Sequence, residues 1–411
     1  MTATPSMPAQ PAAPPPQPAA PPPQPAAPAR SRWLAVSAVA FGTFLLVTAE
    51  QLPIGLLAPV GSALSVSEGA AGLMVTVPSV VAAVAAPVVP VLVGRLDRRL
   101  LLVALMGLMT LANAASALAP SYPLLIAARV LVGVAIGGFW AVAGGLAVRL
   151  VPATHVPRAT AIIFGGVGAA NVFGVPVGTV IGGLASWRIA FGALGALALV
   201  VLAALLAVLP PLAADRPVSL GRLAGRLRDR GVLVGIVATF LIVTGHFSAY
   251  TFIGPVLRDL SGIDEQLVGP LLFGFGVAGI AGNFVAGAAV AKRLHRTVLA
   301  ITVALAVTVL AYPVAGLTGA GGVALLVVWG LVYGGVSTSL QTWMIKAAPR
   351  AVEEASALWV AVFNLSIGLG ALAGGAIVDT LPLQAVLWLA GVLFLMAALA
   401  VWSARRNASL T

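Results

Sequence analysis

Twelve apolar stretches, each long enough to cross a membrane as a helix, limit what this chain can fold into. A spanning helix needs ~20 apolar residues because it rises ~1.5 Å per residue through a hydrocarbon layer of ~30 Å. Of the 411 residues, 60% are hydrophobic and only 8% are charged, whereas soluble domains carry about 25% charged residues. Lipid must therefore be the solvent for most of the surface. The predicted spans are residues 33–58, 70–93, 100–119, 123–148, 159–184, 189–209, 232–256, 268–291, 297–317, 322–345, 355–379 and 384–403.

The composition also removes several classes of function. The chain has no cysteine, which excludes disulfides, thiolate nucleophiles and cysteine metal sites. Its three histidines, His155, His246 and His295, lie far apart in the sequence, which argues against a metal cluster. We find no nucleophile–base spacing and no phosphate-binding loop. We therefore expect neither an enzyme nor a bound metal or cofactor.

Proline-rich and basic segments lie outside the apolar stretches. Residues 1–32 form a cytoplasmic tail that repeats PAAPPPQ, a composition typical of polyproline II or disordered chain. Residues 210–231 form a basic cytoplasmic linker between a six-helix bundle at 33–209 and a second at 232–403. Residues 404–411 are predicted to be a short cytoplasmic tail.

The cationic residues determine the predicted orientation. All but three of the 22 lysines and arginines fall in the tails and in alternate loops, so these segments should face the cytoplasm. Arg188 and Arg258 fall in the opposite loops, and Arg129 lies within a span. The placement of basic residues in cytoplasmic segments explains the net charge of +11. We therefore expect these residues to contact anionic lipid rather than nucleic acid. The chain is predicted to be a multi-pass protein of the inner cell membrane with both termini cytoplasmic.

The two predicted bundles look like copies of each other. Residues 43–60 align without gaps to residues 239–256, at an offset of 196 positions. Later positions recur at nearly the same offset: Gly133, Gly137, Gly138 and Pro152 as Gly330, Gly334, Gly335 and Pro349, and Gly174 and Gly178 as Gly370 and Gly374. This pattern predicts an all-α membrane protein of twelve transmembrane helices, built as two parallel six-helix repeats. The substrate site should lie between the repeats, near mid-membrane.

Several motifs carry a family resemblance. They are EQLPIGLL at 50–57, VSEGAAGLMVT at 66–76, Arg129, GGFWA at 137–141, RLVP at 149–152, VPRA at 156–159, and Gly174-Val-Pro176-Val-Gly178 followed by Trp187-Arg188. Over residues 33–403 the chain resembles the proton-driven efflux branch of the major facilitator superfamily, most closely arabinose-efflux and purine-ribonucleoside-efflux permeases. The resemblance implies the major facilitator fold, a small-molecule substrate and the proton gradient as energy source. We expect a monomer surrounded by membrane lipid.

Glu50 is the only acidic residue predicted to lie inside a span. An ionised carboxylate at a helix centre costs about 2.5–3.5 kcal/mol, so it needs a partner, a cavity or a bound proton. We expect Glu50 to exchange a proton for substrate or for an internal cation, with direct substrate contact alone or a fixed structural role as the alternatives. Arg129 lies at a compatible depth. It is predicted either to pair with Glu50 or to brace helix 4 against helix 1.

The second repeat places aromatic residues at the matching position. His246 takes the position of Glu50, and a histidine there can titrate or hydrogen-bond a polar substrate. Phe247 and Tyr250 lie beside it and could stack on a ring. The alternative is a histidine whose hydrogen bonds are satisfied structurally.

Other candidate cavity residues lie on helices 4, 5, 10 and 11. Trp140 shares a face of helix 4 with Arg129 and is predicted either to form a stacking wall or to pack within the bundle. Asn171, Gln341 and Asn364 are amides within spans, where each either contacts substrate or bonds a neighbouring helix.

Two further motifs bear on conformational change. Asp97 and Arg98, in the loop between helices 2 and 3, match a cytoplasmic gate motif of the family, but the spacing is one residue short and a later glycine is missing. Gly174, Pro176 and Gly178 form the helix-5 signature, in which small residues allow close helix contact and proline interrupts the helical bonds.

The sequence therefore predicts a secondary active transporter, a proton-coupled exporter of small polar or amphipathic molecules such as nucleosides, sugars or antibiotics. A substrate–proton importer on the same fold is the first alternative. A membrane receptor or sensor that does not transport is the second.

Overall fold

The computed structural model describes residues 29–94, 96–143, 146–212, 229–349 and 351–404, and these contain helices and connecting turns but no strand. The predicted proline-rich tail, most of the predicted linker and most of the last segment lie outside the described residues. The domain boundaries proposed for those segments stay predictions.

The described residues contain eleven helical stretches that are long and apolar enough to cross a membrane. One of them, Glu265–Ala315, has 51 residues and a non-helical backbone at Arg293, so it holds two spans. The prediction of an all-α, twelve-span protein is thereby confirmed. The main helices are α1 Ala29–Gln51, α2 Leu73–Val93, α3 Arg98–Ala117, α4 Tyr122–Ala143, α5 Val156–Leu184, α6 Trp187–Val208, α7 Arg230–Tyr250, α8 residues 265–292, α9 residues 294–315, α10 Gly319–Gly334 continued by Val336–Ala347, α11 Val352–Thr380 and α12 Gln384–Ser403. Short helical segments lie between them at Leu52–Leu56, Leu57–Leu64, Glu68–Ala71, Leu146–Leu150, Ala153–His155, Ile253–Pro255 and Val256–Leu260.

Large apolar side chains cover the outside of the bundle as well as its inside. Leu92, Leu118 and Phe284 are among many leucines, valines and phenylalanines that are exposed on the surface of the protein. An exposed apolar surface of this extent is unfavourable in water and suits a hydrocarbon solvent.

Two hydrophobic cores occupy the bundle. One is built almost entirely from residues between 35 and 212, and the other from residues between 232 and 404. Only a few side chains cross over, among them Phe252, which belongs to the first core although it follows α7. We call the two groups of six helices the N-terminal and C-terminal halves.

Equivalent helix pairs pack through glycines in both halves. A methyl group added at Gly178 of α5 would lie 3.0 Å from the side chain of Leu52, and one added at Gly174 would lie 3.4 Å from the Thr48 Cα. In the C-terminal half, Gly370 of α11 approaches the α7 backbone at Thr244 in the same way. The glycine face of α5 therefore lies against the first span, which leaves its opposite face for α8 of the other half.

Polar contacts join the halves at the membrane face where residues 65–67 connect the first two spans. We call this face the closed side. Arg258 donates to Glu68 at 3.0 Å. Asp379, at the end of α11, accepts from the Ser67 hydroxyl at 2.7 Å and from the Gly69 backbone N–H at 3.0 Å. Opposite charges and a carboxylate at a helix N-terminus hold the two halves together there.

Gly137 tests the packing of α4 on α2. A methyl group added there would lie 2.5 Å from the Ala82 carbonyl oxygen and 2.8 Å from the Ala85 Cβ. We expect Gly137→Ala to destabilise the protein by about 1–3 kcal/mol, because relief requires the helices to separate. Gly107→Ala on α3 is the control, since no atom lies within 4 Å of its added methyl. Melting temperatures in detergent should fall for Gly137→Ala alone; equal values for the two variants would contradict this packing.

Candidate substrate and proton site

The first span breaks immediately after Glu50. Its α-helix ends at Gln51, and Leu52–Leu56 form a tighter 3-10 turn that contains Pro53. Proline has no backbone N–H, so the carbonyl four residues earlier, that of Ala49, loses its usual helical hydrogen bond. The break therefore leaves an unbonded carbonyl beside Glu50 inside the membrane, where such a group is costly.

Arg129 of α4 supplies the missing donor. Its Nη1 donates to the Ala49 carbonyl at 3.4 Å, and its Nη2 donates to Ser116 at 2.8 Å and to Asn113 at 3.2 Å, both on α3. The guanidinium carbon also lies 4.7 Å from the centre of the Phe191 ring on α6. One fully buried arginine thus connects four spans at the level of the helix break.

The predicted pair between Glu50 and Arg129 is not formed in this structure. Both residues lie in the described part of the chain, and no hydrogen bond or ion pair joins them there. The Arg129 guanidinium is not available to Glu50 because it donates to the carbonyl freed by Pro53 and to two polar side chains of α3. Of the two predicted roles, the bracing role describes this geometry.

Glu50 has a single hydrogen-bond partner among the described residues. It is 7% exposed, and its Oε1 lies 3.3 Å from the hydroxyl of Ser79 on α2. That hydroxyl also lies 2.9 Å from the Val75 carbonyl. Serine has one hydrogen to donate, so if it bonds Val75 its oxygen must accept from a protonated Glu50. If Glu50 is ionised, Ser79 has to give up the Val75 bond in order to donate to the carboxylate.

His246 of α7 occupies the matching position in the C-terminal half. It is 1% exposed, and its Nδ1 is buried without a hydrogen-bond partner. Its ring stacks on Tyr250 with centroids 4.8 Å apart and contacts the Phe247 ring edge-on at 5.0 Å. The Tyr333 ring of α10 covers its other face at 3.4 Å.

The other predicted cavity residues fall in different surroundings. Trp140 packs against Phe164 of α5 with ring centroids 5.9 Å apart. Asn171 accepts from the Gln51 amide at 2.6 Å, at the point where α5 meets both the helix break and α8. Gln341 is half-buried on α10. Asn364 donates to the Val360 carbonyl of its own helix at 2.9 Å, and the hydrogen bonds of the described residues include none from Asn364 to another helix.

Asp97 and Arg98 contact only the N-terminal half in the hydrogen bonds of the described residues. The Asp97 carboxylate caps α3 by accepting from the Arg99 N–H at 2.7 Å, and it also accepts from the Leu212 N–H at 3.0 Å. The Arg98 backbone donates to the Leu212 carbonyl at 2.9 Å. The motif therefore ties the chain that follows α6 to the start of α3, and its gating role stays a prediction.

Sequence reasoning missed Ser79, Gln51 and Tyr333. The repeat held one further signal, because the offset that maps Glu50 onto His246 also maps Ser79 onto Phe275, whose ring lies 6.3 Å from His246. Nothing in the sequence marks Tyr333, since an aromatic residue in an apolar helix is most often part of the core.

Comparison with known sequences gives a consistent family match. The family model described as Major Facilitator Superfamily matches residues 39–357. The purine ribonucleoside efflux pump NepI of Salmonella paratyphi A is 33% identical over 373 residues, covering 91% of this chain and 94% of the relative. The transcription regulatory protein OpdE of Pseudomonas aeruginosa is 34% identical over 381 residues, covering 92% and 95%.

Solved structures show the same fold at low sequence identity. A bacterial homologue of the human lysosomal transporter Spinster, in an inward-facing and occupied conformation, has a TM-score of 0.74 and 16% identity. The match covers 92% of this chain and 97% of that one.

A double-mutant cycle separates bracing from pairing at Arg129. Arg129→Gln should lower the melting temperature strongly, because it leaves Ala49, Asn113 and Ser116 without their shared buried donor, at about 1–3 kcal/mol for each unsatisfied group. Adding Glu50→Gln should produce no recovery, since the two side chains do not bond. The shifts measured in detergent should then add, with a coupling below about 0.5 kcal/mol. A double variant more stable than Arg129→Gln would restore the ion-pair model.

Proposed function

This chain belongs to the major facilitator superfamily, and from that premise we propose that it is a proton-coupled exporter, an antiporter that moves small polar or amphipathic molecules out of the cytoplasm. Family membership and the efflux-pump relatives make it a multi-pass membrane transporter rather than an enzyme. We propose in addition the direction of transport, its energy source and the class of substrate. We also propose that the protein is a monomer in the inner membrane with both termini in the cytoplasm.

The observation that carries the proposal is the isolation of the Glu50 carboxyl. It lies within a membrane-spanning segment and is buried, and its one hydrogen-bond partner among the described residues is a neutral serine. Since no ion pair neutralises Glu50 among the described residues, a bound proton is the least costly way to hold its carboxyl group in such surroundings. Arg129 donates to the carbonyl of the preceding residue, Ala49, and not to the Glu50 carboxyl. Glu50 is therefore available to gain and lose a proton during transport.

Proton binding and substrate binding are coupled in this proposal through the gap that Glu50 shares with the C-terminal half. A proton entering from outside neutralises Glu50 and completes the bonds from Glu50 to Ser79 and from Ser79 to Val75. Substrate entering from the cytoplasm favours loss of that proton. Under the predicted orientation, the closed side made by Glu68, Arg258 and Asp379 faces outward.

Nucleosides are the first substrate class to test. The relatives named as purine ribonucleoside efflux pumps support it, and sugars and antibiotics remain the other candidates. The site residues proposed for substrate contact are His246, Tyr250 and Tyr333, with Asn171 and Gln341 on the neighbouring helices. No resident cofactor is part of the proposal.

Two alternative functions predict different results in transport and binding measurements. A substrate–proton importer would use the same fold in the opposite direction. A non-transporting receptor gains weight from the relative named a transcription regulatory protein, and it predicts ligand binding without flux.

Removal of the Glu50 proton site tests the coupling directly. Glutamine at this position keeps a donor for Ser79 but cannot ionise, so Glu50→Gln should fold normally. Efflux of inosine driven by an imposed pH gradient in proteoliposomes should fall to the level of empty liposomes. Asp264→Asn, at an exposed position before α8, is the matched control and should transport like the wild type. Undiminished gradient-driven efflux in Glu50→Gln would refute the proton assignment.

Everted membrane vesicles decide the direction. An exporter accumulates inosine when the vesicle lumen is acidified, because protons leaving the lumen drive substrate in. An importer accumulates none under that gradient, and a receptor binds inosine without accumulation under either gradient.

A further inference from the structure

Four aromatic rings form a continuous stack in the C-terminal half. Tyr333 lies on His246, His246 contacts Tyr250 and Tyr250 contacts Phe275, with centroid separations of 3.4, 4.8 and 4.7 Å and interplanar angles of 9°, 19° and 26°. The Phe275 and His246 centroids are only 6.3 Å apart, so the rings form a compact cluster of near-parallel rings and not a straight column. Trp329 stands edge-on to the stack, 5.5 Å from His246 and 6.2 Å from Tyr250. The rings come from α7, α8 and α10, so the packing of three helices positions the stack.

The stack contains polar atoms that nothing in the described structure satisfies. The Nδ1 of His246, the hydroxyl of Tyr333 and the indole N–H of Trp329 are all buried without a hydrogen-bond partner. Each such atom destabilises the protein by about 1–3 kcal/mol, and native proteins keep few of them. The buried Tyr312 hydroxyl of the same half lies within hydrogen-bonding distance of Ser261 and Gly322. Other unsatisfied side chains of this half, Thr244, Thr251, Ser339 and Trp359, lie outside the stack, so its distinction is that three unsatisfied polar atoms belong to rings in mutual contact.

One ring of the stack is more accessible than the others. His246, Tyr250, Phe275 and Trp329 are buried, whereas Tyr333 is only partly buried. The helix that carries Tyr333 keeps helical backbone angles at Gly335, with φ −81° and ψ −10°. Uncovering the His246 ring therefore requires rotation of the Tyr333 side chain and not movement of the helix.

We propose that this stack is the ring-binding subsite of the transporter and that Tyr333 is its movable cover. In the empty protein Tyr333 lies on the face of His246 where a substrate ring stacks once the tyrosine swings aside. The substrate is then a planar nitrogen heterocycle whose edge offers both hydrogen-bond donors and acceptors. Its polar edge meets the Trp329 N–H and the displaced Tyr333 hydroxyl. A polar substituent that extends beyond the ring reaches the His246 Nδ1 in the plane of the imidazole.

This inference rests on the proposed function and narrows it. A ring that replaces Tyr333 keeps the stacking energy, worth about 0.5–1.5 kcal/mol per aromatic pair, and satisfies the buried polar atoms as well. A free sugar has no aromatic ring with which to replace that of Tyr333, so the inference favours substrates that carry a base over sugars that lack one. Recognition of the ring is placed in the C-terminal half, and the proton site is placed at Glu50 in the N-terminal half.

Equilibrium binding of tritiated inosine to the purified full-length protein tests the subsite. Tyr333→Phe keeps the ring and removes the hydroxyl, and His246→Phe keeps a ring and removes both nitrogens. Each should weaken inosine binding by about three- to tenfold, the usual worth of one hydrogen bond. Tyr312→Phe makes the same chemical change outside the stack and should leave the affinity unchanged. Unlabelled hypoxanthine should compete for the site, whereas ribose should not.

Several results would overturn the subsite. They are wild-type protein that binds no inosine, competition by ribose equal to that by hypoxanthine, or wild-type affinity in both Tyr333→Phe and His246→Phe. Melting temperatures show whether each variant is folded, and if His246→Phe is not, Tyr333→Phe decides alone. Flux under a pH gradient, measured on the same preparation, tests the exporter proposal independently of the ring-binding subsite. Gradient-driven export of ribose without inosine binding would keep the exporter and reject the ring site, whereas inosine binding without flux would do the reverse.

Discussion

The interruption of the first span beside Glu50 is the feature on which the rest of the site depends. Pro53 deprives the Ala49 carbonyl of its helical partner, and a bare carbonyl at that depth is too costly to leave in lipid. Arg129 resolves the problem by donating to it while bonding α3 and stacking on α6. Because the arginine is committed to the backbone, the neighbouring carboxyl of Glu50 has Ser79 as its one hydrogen-bond partner in the part of the chain that the structure describes. The positive charge stabilises the helix break, and in the proposed mechanism the acidic group is the one that carries the proton.

The two halves use one backbone plan for different chemistry. Matching positions hold Glu50 in the N-terminal half and His246 in the C-terminal half, and matching glycines bring α5 against the first span and α11 against α7. One half therefore supplies a titratable carboxyl beside a hydroxyl, and the other supplies stacked rings with unsatisfied polar edges. In the proposed mechanism a molecule bound between the halves contacts both. Its binding is then linked to a proton without any direct bond between the ionisable residues of the two halves.

The sequence predicted the architecture well because the membrane imposes strong patterns. The length of the apolar stretches, the distribution of arginines and the constant offset between the two copies can each be read directly from the sequence. The partners of Arg129 were harder to predict from the sequence. The position of a residue along a helix gives its depth in the membrane but not the neighbouring helix that its side chain faces. In addition, the acceptor freed by Pro53 is a backbone carbonyl. Tyr333 was missed for a similar reason, since its contact with His246 depends on how α10 is rotated against α7. Asn364 looked like a cavity amide, yet it bonds its own helix.

The central claim is that Glu50 exchanges its proton for substrate across the gap between the halves. Proton release on ligand binding tests it most directly, using purified protein in weakly buffered detergent solution with a pH indicator and added inosine. The account predicts that wild-type protein releases protons as inosine binds and that Glu50→Gln binds inosine without releasing any. Equal release from both proteins, or binding to the wild type with no release, would contradict it.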